Sequence, residues 1–402
     1  MKAGWQRKTI DAVCEVVNGG TPKTGLPDYW NGPHQWITPA EMGKRATPYI
    51  GQTERTLTDA GLQNSSARLL PAQSVILSSR APIGHLVINT MPMATNQGCK
   101  GLVPRDGLDC KYLYYYLTSI VPLLNDLGTG ATFKELSGGK LKEVPISVPP
   151  LPEQHRIVAI LDKAFDGIAT AKANAEQNLQ NARALFESHL QKVFTERGEG
   201  WMEKPLSEIC DIKHGYAFEG EYFSSSGEYV LLTPGNFYET GGYRDRGEKQ
   251  KYYVGEIPRD YVLRKGDLLV AMTEQAAGLL GSPILVPESN RFLHNQRLGL
   301  VTRKPGAVWM NEFFFHVFNI PHVRQAIHSN ASGVKVRHTS PAKIGQVVVA
   351  FPSSVPEQER IVVRLAALAE ETQYLESLYR QKLTALGDLK RSLLHQAFSG
   401  QL

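Results

Sequence analysis

Leu151-Pro152-Glu153-Gln154-His155-Arg156-Ile157-Val158 and Val355-Pro356-Glu357-Gln358-Glu359-Arg360-Ile361-Val362 are two copies of one signal, and they decide the fold. Proline's fixed φ suits the first position of a helix, and a glutamate beside it complements the positive end of the helix dipole. Each copy therefore opens a helix. Behind the first, Ile157, Leu161, Ala164, Ile168, Ala171, Ala175, Leu179, Ala182, Phe186 and Val193 recur at steps of three and four. Behind the second, Ile361, Leu365, Leu368, Thr372, Leu375, Leu386 and Leu393 do the same, with Tyr379 between. That spacing is a coiled-coil seam. A helix over 152–195 is about 65 Å long at 1.5 Å per residue, too long for one small domain to cover. The link Glu196-Arg197-Gly198-Glu199-Gly200 is short, so the second helix covers the first one's seam only by running back. The spacing predicts an antiparallel pair of long helices related by a pseudo-twofold.

The repeat extends outward from these openings. Trp5, Lys8, Cys14 and Glu15 fall on Trp201, Lys204, Cys210 and Asp211 without a gap, and the same register carries Gly19 onto Gly215. Leu70-Pro-Ala-Gln-Ser74-Val-Ile-Leu resembles Leu263-Arg-Lys-Gly-Asp267-Leu-Leu-Val, and Asn96-Gln97-Gly98 answers Asn295-Gln296-Arg297. An internal repeat of this length means two copies of one module. Strand patterns at 74–78, 87–89, 267–272 and 345–350 mix with helical ones at 110–117 and 311–318, which makes the class α+β. The expected order is a globular module over 1–150, a spacer helix over 151–198, a second module over 199–352 and a second spacer helix over 353–402.

A chain of 402 residues, 42% of them apolar, is long enough for more than one core. Its 44 basic and 39 acidic residues leave a net charge of only +5, so a surface for a polyanion has to be local. The four cysteines form no C-x-x-C pair and suit a reducing cytoplasm, and no stretch approaches the roughly 20 apolar residues of a membrane span. A cytoplasmic protein without a membrane partner is expected.

No catalytic site is legible. Gly138-Gly139-Lys140 lacks the first glycine of a phosphate loop, the only Pro-Pro lies in Val148-Pro149-Pro150-Leu151 rather than in an Asn-Pro-Pro-aromatic tetrapeptide, and the eleven histidines show no H-E-x-x-H spacing. No metal site is expected. Carboxylates such as Glu41, Asp59 and Glu274 have no partner at a meaningful spacing and read as surface or loop caps.

Taken together, these segments resemble the specificity subunits of type I restriction–modification systems, over essentially the whole chain. The two Pro-Glu-Gln openings resemble that family's helical regions. Gly19-Gly20-Thr21-Pro22, Tyr29-Trp30-Asn31-Gly32, Trp36-Ile37-Thr38-Pro39, Ser78-Ser79-Arg80-Ala81-Pro82-Ile83-Gly84 and Asn96-Gln97-Gly98 resemble one type of its target-recognition domain. The resemblance implies two target-recognition domains, each reading one half of a split sequence in double-stranded DNA, held apart by the helices. It implies no cofactor on this chain: two methyltransferase subunits would bring S-adenosylmethionine, and restriction subunits would bring ATP-dependent cleavage. Two other readings stand beside it, a coiled-coil scaffold holding proteins and the specificity subunit of a related phage-defence methylation system.

Residues able to match base edges or phosphates must come from loops. In module one these are Thr21, Lys23, Trp36, Ser79, Arg80, Thr132 and Lys134; in module two they are Tyr216, Asn236, Thr273, Gln275, Lys335, Arg337 and His338. Packing competes with stacking for Trp30 and Trp36, and the recurrence of Asn96-Gln97 as Asn295-Gln296 favours a shared task in tying loop backbone. Tyr112-Leu-Tyr-Tyr-Tyr116 sits on a helical pattern and reads as core. His214-Gly215-Tyr216-Ala217-Phe218 replaces the Gly-Gly-Thr-Pro loop, so the two modules are expected to read different sequences.

Overall fold

A computed structural model describes residues 4–45, 47–130, 134–274, 278–333 and 336–402. The chain divides into two compact units, Met1–Glu176 with Arg380–Leu402, and Gln177–Tyr379. Each unit therefore takes one module plus a stretch of both long helices.

In unit one, strand Gln6–Thr9 pairs antiparallel with Pro145–Val148, which closes the module's entrance against its exit. A five-stranded sheet runs in the order Cys14–Asn18, Cys99–Pro104, Val75–Ser79, Ile83–Asn89, Tyr49–Ile50. A second sheet orders Arg55–Leu57, Trp30–Ile37 and Met93–Thr95, the last two parallel. Helix Cys110–Ser119 starts at Asp109, whose side chain accepts from the Tyr112 amide and so satisfies one of the orphan donors of the first turn. Its tyrosines are core, as their pattern predicts: Tyr112, Tyr115 and Tyr116 are buried, and the Tyr112 and Tyr116 rings lie edge-on to Phe398.

Unit two repeats this plan with different loops. Trp201–Pro205 pairs with Val348–Pro352, and a sheet of order Cys210–His214, Leu298–Arg303, Leu268–Ala271, Pro283–Leu285 answers the first four strands of unit one's larger sheet. A parallel pairing of Tyr229–Leu231 with Phe292–Leu293 answers that of Trp30–Ile37 with Met93–Thr95. The strand expected over 345–350 begins instead at Val348, because Pro341–Gly345 is a helix. Pro341 opens that helix and the Ser340 side chain accepts from the Lys343 amide, a cap that outweighs the apolar run. Cys14 and Cys210 are buried core residues, and burial pushes both thiols up to about 12.

Leu151–Thr195 and Val355–Ser399 are helices of 45 residues each. In unit one, Arg156 Nη2 donates to the Leu402 carbonyl at 2.8 Å, and Lys390 Nζ lies 4.9 Å from the Phe165 ring centre. In unit two, Leu365 shares a core with Leu190 and Phe194, while Arg183 Nε approaches Glu376 at 3.3 Å. Within each unit residue numbers rise along one helix as they fall along the other, so the pairing is antiparallel. Of the expected seam, Ile157, Leu161, Ala175, Ala182, Leu365 and Thr372 are buried, while Ala164, Ile168, Ala171, Leu179, Phe186, Val193, Ile361, Leu368, Leu375, Tyr379, Leu386 and Leu393 are half-buried. Leu190, Phe194, Leu394 and Ala397, outside the expected seam, are buried as well; they lie near helix ends and join the module cores.

The glutamine of each Pro-Glu-Gln is buried and bonded to carbonyls of its module. Gln154 is fully buried: its Oε1 accepts from the Asp109 amide at 2.8 Å, and its Nε2 donates to the Gly107 and Pro149 carbonyls at 2.9 and 2.8 Å. It ties the start of the long helix to the start of helix Cys110–Ser119. Gln358, also fully buried, donates to Val308 and Pro352 carbonyls at 3.4 Å each.

Candidate nucleic-acid interface

Backbone hydrogen bonds gather four loops of module one onto one surface. The Gly20 amide donates to Thr95 at 2.8 Å, Ser79 to Gly98 at 2.7 Å, and Leu136 to Ser79 at 2.9 Å. Thr129 and Glu135 exchange both of their backbone bonds, at 3.0 and 2.9 Å. Asn96 Oδ1 accepts from the Gly98 amide at 2.6 Å, so this asparagine holds backbone, the task its recurrence favours. Gly19 must be glycine, since a Cβ there would collide with the Asn96 carbonyl.

Module two repeats the frame bond for bond. The Tyr216 amide donates to His294 at 2.9 Å, Met272 to Arg297 at 3.0 Å, and Thr339 to Met272 at 2.9 Å. Ser332 and His338 exchange both backbone bonds at 2.9 Å, and Asn295 Oδ1 accepts from the Arg297 amide at 3.0 Å. This equates Gly20 with Tyr216, Arg80 with Thr273, Gly98 with Arg297, Lys134 with Arg337 and Glu135 with His338. The frame is shared and its side chains differ.

The expected site residues divide accordingly. Thr21, Arg80 and Lys134 are brought together in module one. Thr21 Oγ1 bonds to Gln97 Oε1 and accepts from Asn96 Nδ2 at 3.2 Å, and Arg80 faces Glu135 at 3.7 Å with both side chains partly exposed. Lys23 is exposed on the loop that follows, where its carbonyl accepts from Trp30 Nε1 at 3.3 Å. Tyr216, Thr273, Arg337 and His338 are brought together in module two. The exposed Tyr216 ring lies 5.1 Å from Phe218 and 5.3 Å from Tyr261, and Arg337 Nη1 lies 2.8 Å from His328 Nδ1. Thr132, Gln275 and Lys335 lie outside the described residues.

Three of the expected contact residues are buried. Trp36 is 2% exposed, and its indole N–H donates to the Gly20 carbonyl at 2.9 Å, so it supports the first loop from behind. Ser79 is 0% exposed and acts through its backbone. Asn236 is 1% exposed, with its amide bonded to Thr233, Arg244 and Gln250. A side chain covered on all sides cannot reach a groove without unfolding its loop.

Sequence reading missed Arg297, an exposed arginine on the frame. The signal is in the sequence, since Asn295-Gln296-Arg297 aligns with Asn96-Gln97-Gly98, but the glycine in one copy hides the position. Glu274 is a loop cap: its buried carboxylate accepts from the Gly278 and Leu280 amides at 3.0 Å each and lies 3.2 Å from His328. His294 is fully buried, with Nε2 2.9 Å from the Leu298 carbonyl. Burial lowers its pKa to about 4, so the ring is neutral at pH 7 and Nε2–H is the donor.

The two modules thus form a duplicated loop frame that carries different exposed polar and basic side chains. Comparison with known proteins places the chain in a family. The family described as type I restriction modification DNA specificity domain matches residues 2–181 and again 198–384, and the chain belongs to that family. The MjaIX type I restriction enzyme specificity subunit of Methanocaldococcus jannaschii is 33% identical over 230 residues, which is 52% of this chain and 52% of that protein. The chain thus spans about half the length of that curated relative. Among solved structures, a chain from a study of complex assembly and conformational transition of the type I R-M system shares the fold at a TM-score of 0.79, with 17% identity, over 100% of this chain and 99% of that one. The HsdS subunit from Thermoanaerobacter tengcongensis shares it at 0.64, with 16% identity, over 100% and 98%. No described helix is long and apolar enough to cross a membrane.

Proposed function

We propose that this chain reads a two-part, asymmetric sequence in double-stranded DNA, one part per module, as the specificity subunit of a type I restriction–modification complex. The observation that carries the proposal is the shared loop frame bearing different side chains. A common frame presents loops to a duplex in the same way, and different side chains match different base edges. In module one the contacts come from Thr21, Lys23, Arg80, Thr132 and Lys134, and in module two from Tyr216, Thr273, Gln275, Lys335, Arg337 and His338. Trp36, Ser79 and Asn236 hold the loops from behind. The long helices set the spacing between the two half-sequences. Catalysis belongs to partners: methyltransferase subunits carrying S-adenosylmethionine and restriction subunits consuming ATP.

Methylome sequencing of cells carrying this chain with methyltransferase subunits tests the reading. A two-part methylated motif is expected, and replacing residues 1–150 by another family member's module should change one half and leave the other. A change in both halves would refute independent modules. Absence of any sequence preference would refute DNA specificity and favour a protein scaffold.

A further inference from the structure

Arg80 and Arg297 stand on opposite loops of the same frame. In module one, the bond from the Ser79 amide to the Gly98 carbonyl sets the two loops side by side, and a Cβ on Gly98 would lie 3.1 Å from Arg80 Nε. Arg80 thus lines the space that a side chain at 98 would enter, together with Asn96 Oδ1 at 3.0 Å and Pro39 Cγ at 3.1 Å. The backbone of Gly98 does not itself require glycine, because its φ is outside the left-handed region. In module two the equivalent bond runs from Met272 to Arg297, the arginine stands at the position of Gly98, and the short Thr273 stands at that of Arg80. Large and small residue have changed places across one hydrogen bond while the positive charge has stayed. Beside it, the turn Thr38-Pro39 recurs as Thr233-Pro234, each threonine opening a short helical turn. Both arginines are reachable: Arg80 is 36% exposed at the side chain, and Arg297 is exposed.

We infer that Arg80 and Arg297 are equivalent DNA-contacting residues, one per module, each offering a guanidinium to the duplex from the same point of the frame. The inference rests on the DNA reading proposed above. Phosphate oxygens and the acceptor edge of guanine both suit a guanidinium.

The test uses the full chain co-expressed with its methyltransferase subunits and a labelled duplex carrying the motif found by methylome sequencing. Arg80→Thr and Arg297→Gly should each weaken binding roughly ten- to hundredfold. Gly98→Arg added to Arg80→Thr should recover most of the loss, as should Thr273→Arg added to Arg297→Gly, whereas Gly98→Arg alone should be impaired by collision with Arg80. Thermal melting identifies the folded variants, and the exchange in one module decides if the other fails to fold. A phosphate contact appears as uniform weakening over all sequences with a salt slope shallower by about one, and a base contact as relaxed preference at one position of the affected half. Single variants that bind like the wild type, or folded double variants that stay at the single-variant level, would overturn the inference. A wild-type complex without sequence preference would instead overturn the DNA reading itself.

Discussion

Replacing Gln154 and Gln358 by alanine, one at a time, perturbs equivalent positions whose surroundings differ, and the structure sets the size of each effect. Gln154→Ala removes three bonds of 2.8–2.9 Å and leaves the Asp109 amide and the Gly107 and Pro149 carbonyls without their partner. At about 1 kcal/mol per bond, and more for the buried Pro149 carbonyl, the loss is about 3–4 kcal/mol. Gln358→Ala removes only two bonds at 3.4 Å, and Gln358 Oε1 is buried with no partner among the described residues, so truncation also removes an unsatisfied acceptor. Its net cost should be about 1 kcal/mol or less. Hydrogen exchange resolved by peptide on the full chain separates the two units. Gln154→Ala should lower protection in helix Cys110–Ser119 and the first turns of Leu151–Thr195, with little change in unit two. At about 2–4 °C per kcal/mol, melting of unit one should fall by about 10 °C. Equal losses from the two variants, or a larger one from Gln358→Ala, would refute the reasoning that bond geometry rather than sequence equivalence sets the cost.

Leu161 is fully buried between its helix and the module core, so Leu161→Ala should cost about 3 kcal/mol, whereas the half-buried Leu375 should cost clearly less; chemical denaturation of the two variants ranks them. His294 is held neutral in the fold with its pKa lowered to about 4, against an ordinary value of 6.5. Between those values the unfolded chain binds the extra proton, so the contribution is present above pH 6.5 and is lost as pH falls towards 4, by up to about 3 kcal/mol. His294→Gln should flatten that part of unit two's stability profile, and an unchanged slope would show that the ring titrates normally.

The duplication, the α+β class, the two long helices and most core tyrosines were legible in the sequence, because each rests on local chemistry: a proline and glutamate opening a helix, a three-four spacing, a Trp-Lys-Cys register. Local rules also placed Asn96 and Asn295 correctly, since a polar pair repeated beside a turn has backbone to hold. What local rules could not place was exposure. Trp36, Ser79 and Asn236 look like contacts in a loop-rich stretch, yet all three are buried, Trp36 and Ser79 against segments distant in sequence, as when Gly20 receives the Trp36 indole, and Asn236 through bonds to Thr233, Arg244 and Gln250. Nothing in the local spacing shows that the loop at Gly107–Asp109 closes over Gln154. The exchange between Arg80 and Arg297 lies furthest from the sequence, because it exists only across a hydrogen bond joining residues 79 and 98 in one module and 272 and 297 in the other. Helix openings and seams are written along the chain, so the sequence alone determined them. Which side chains stand free on the frame depends on what packs behind it, and only the tertiary structure decided that.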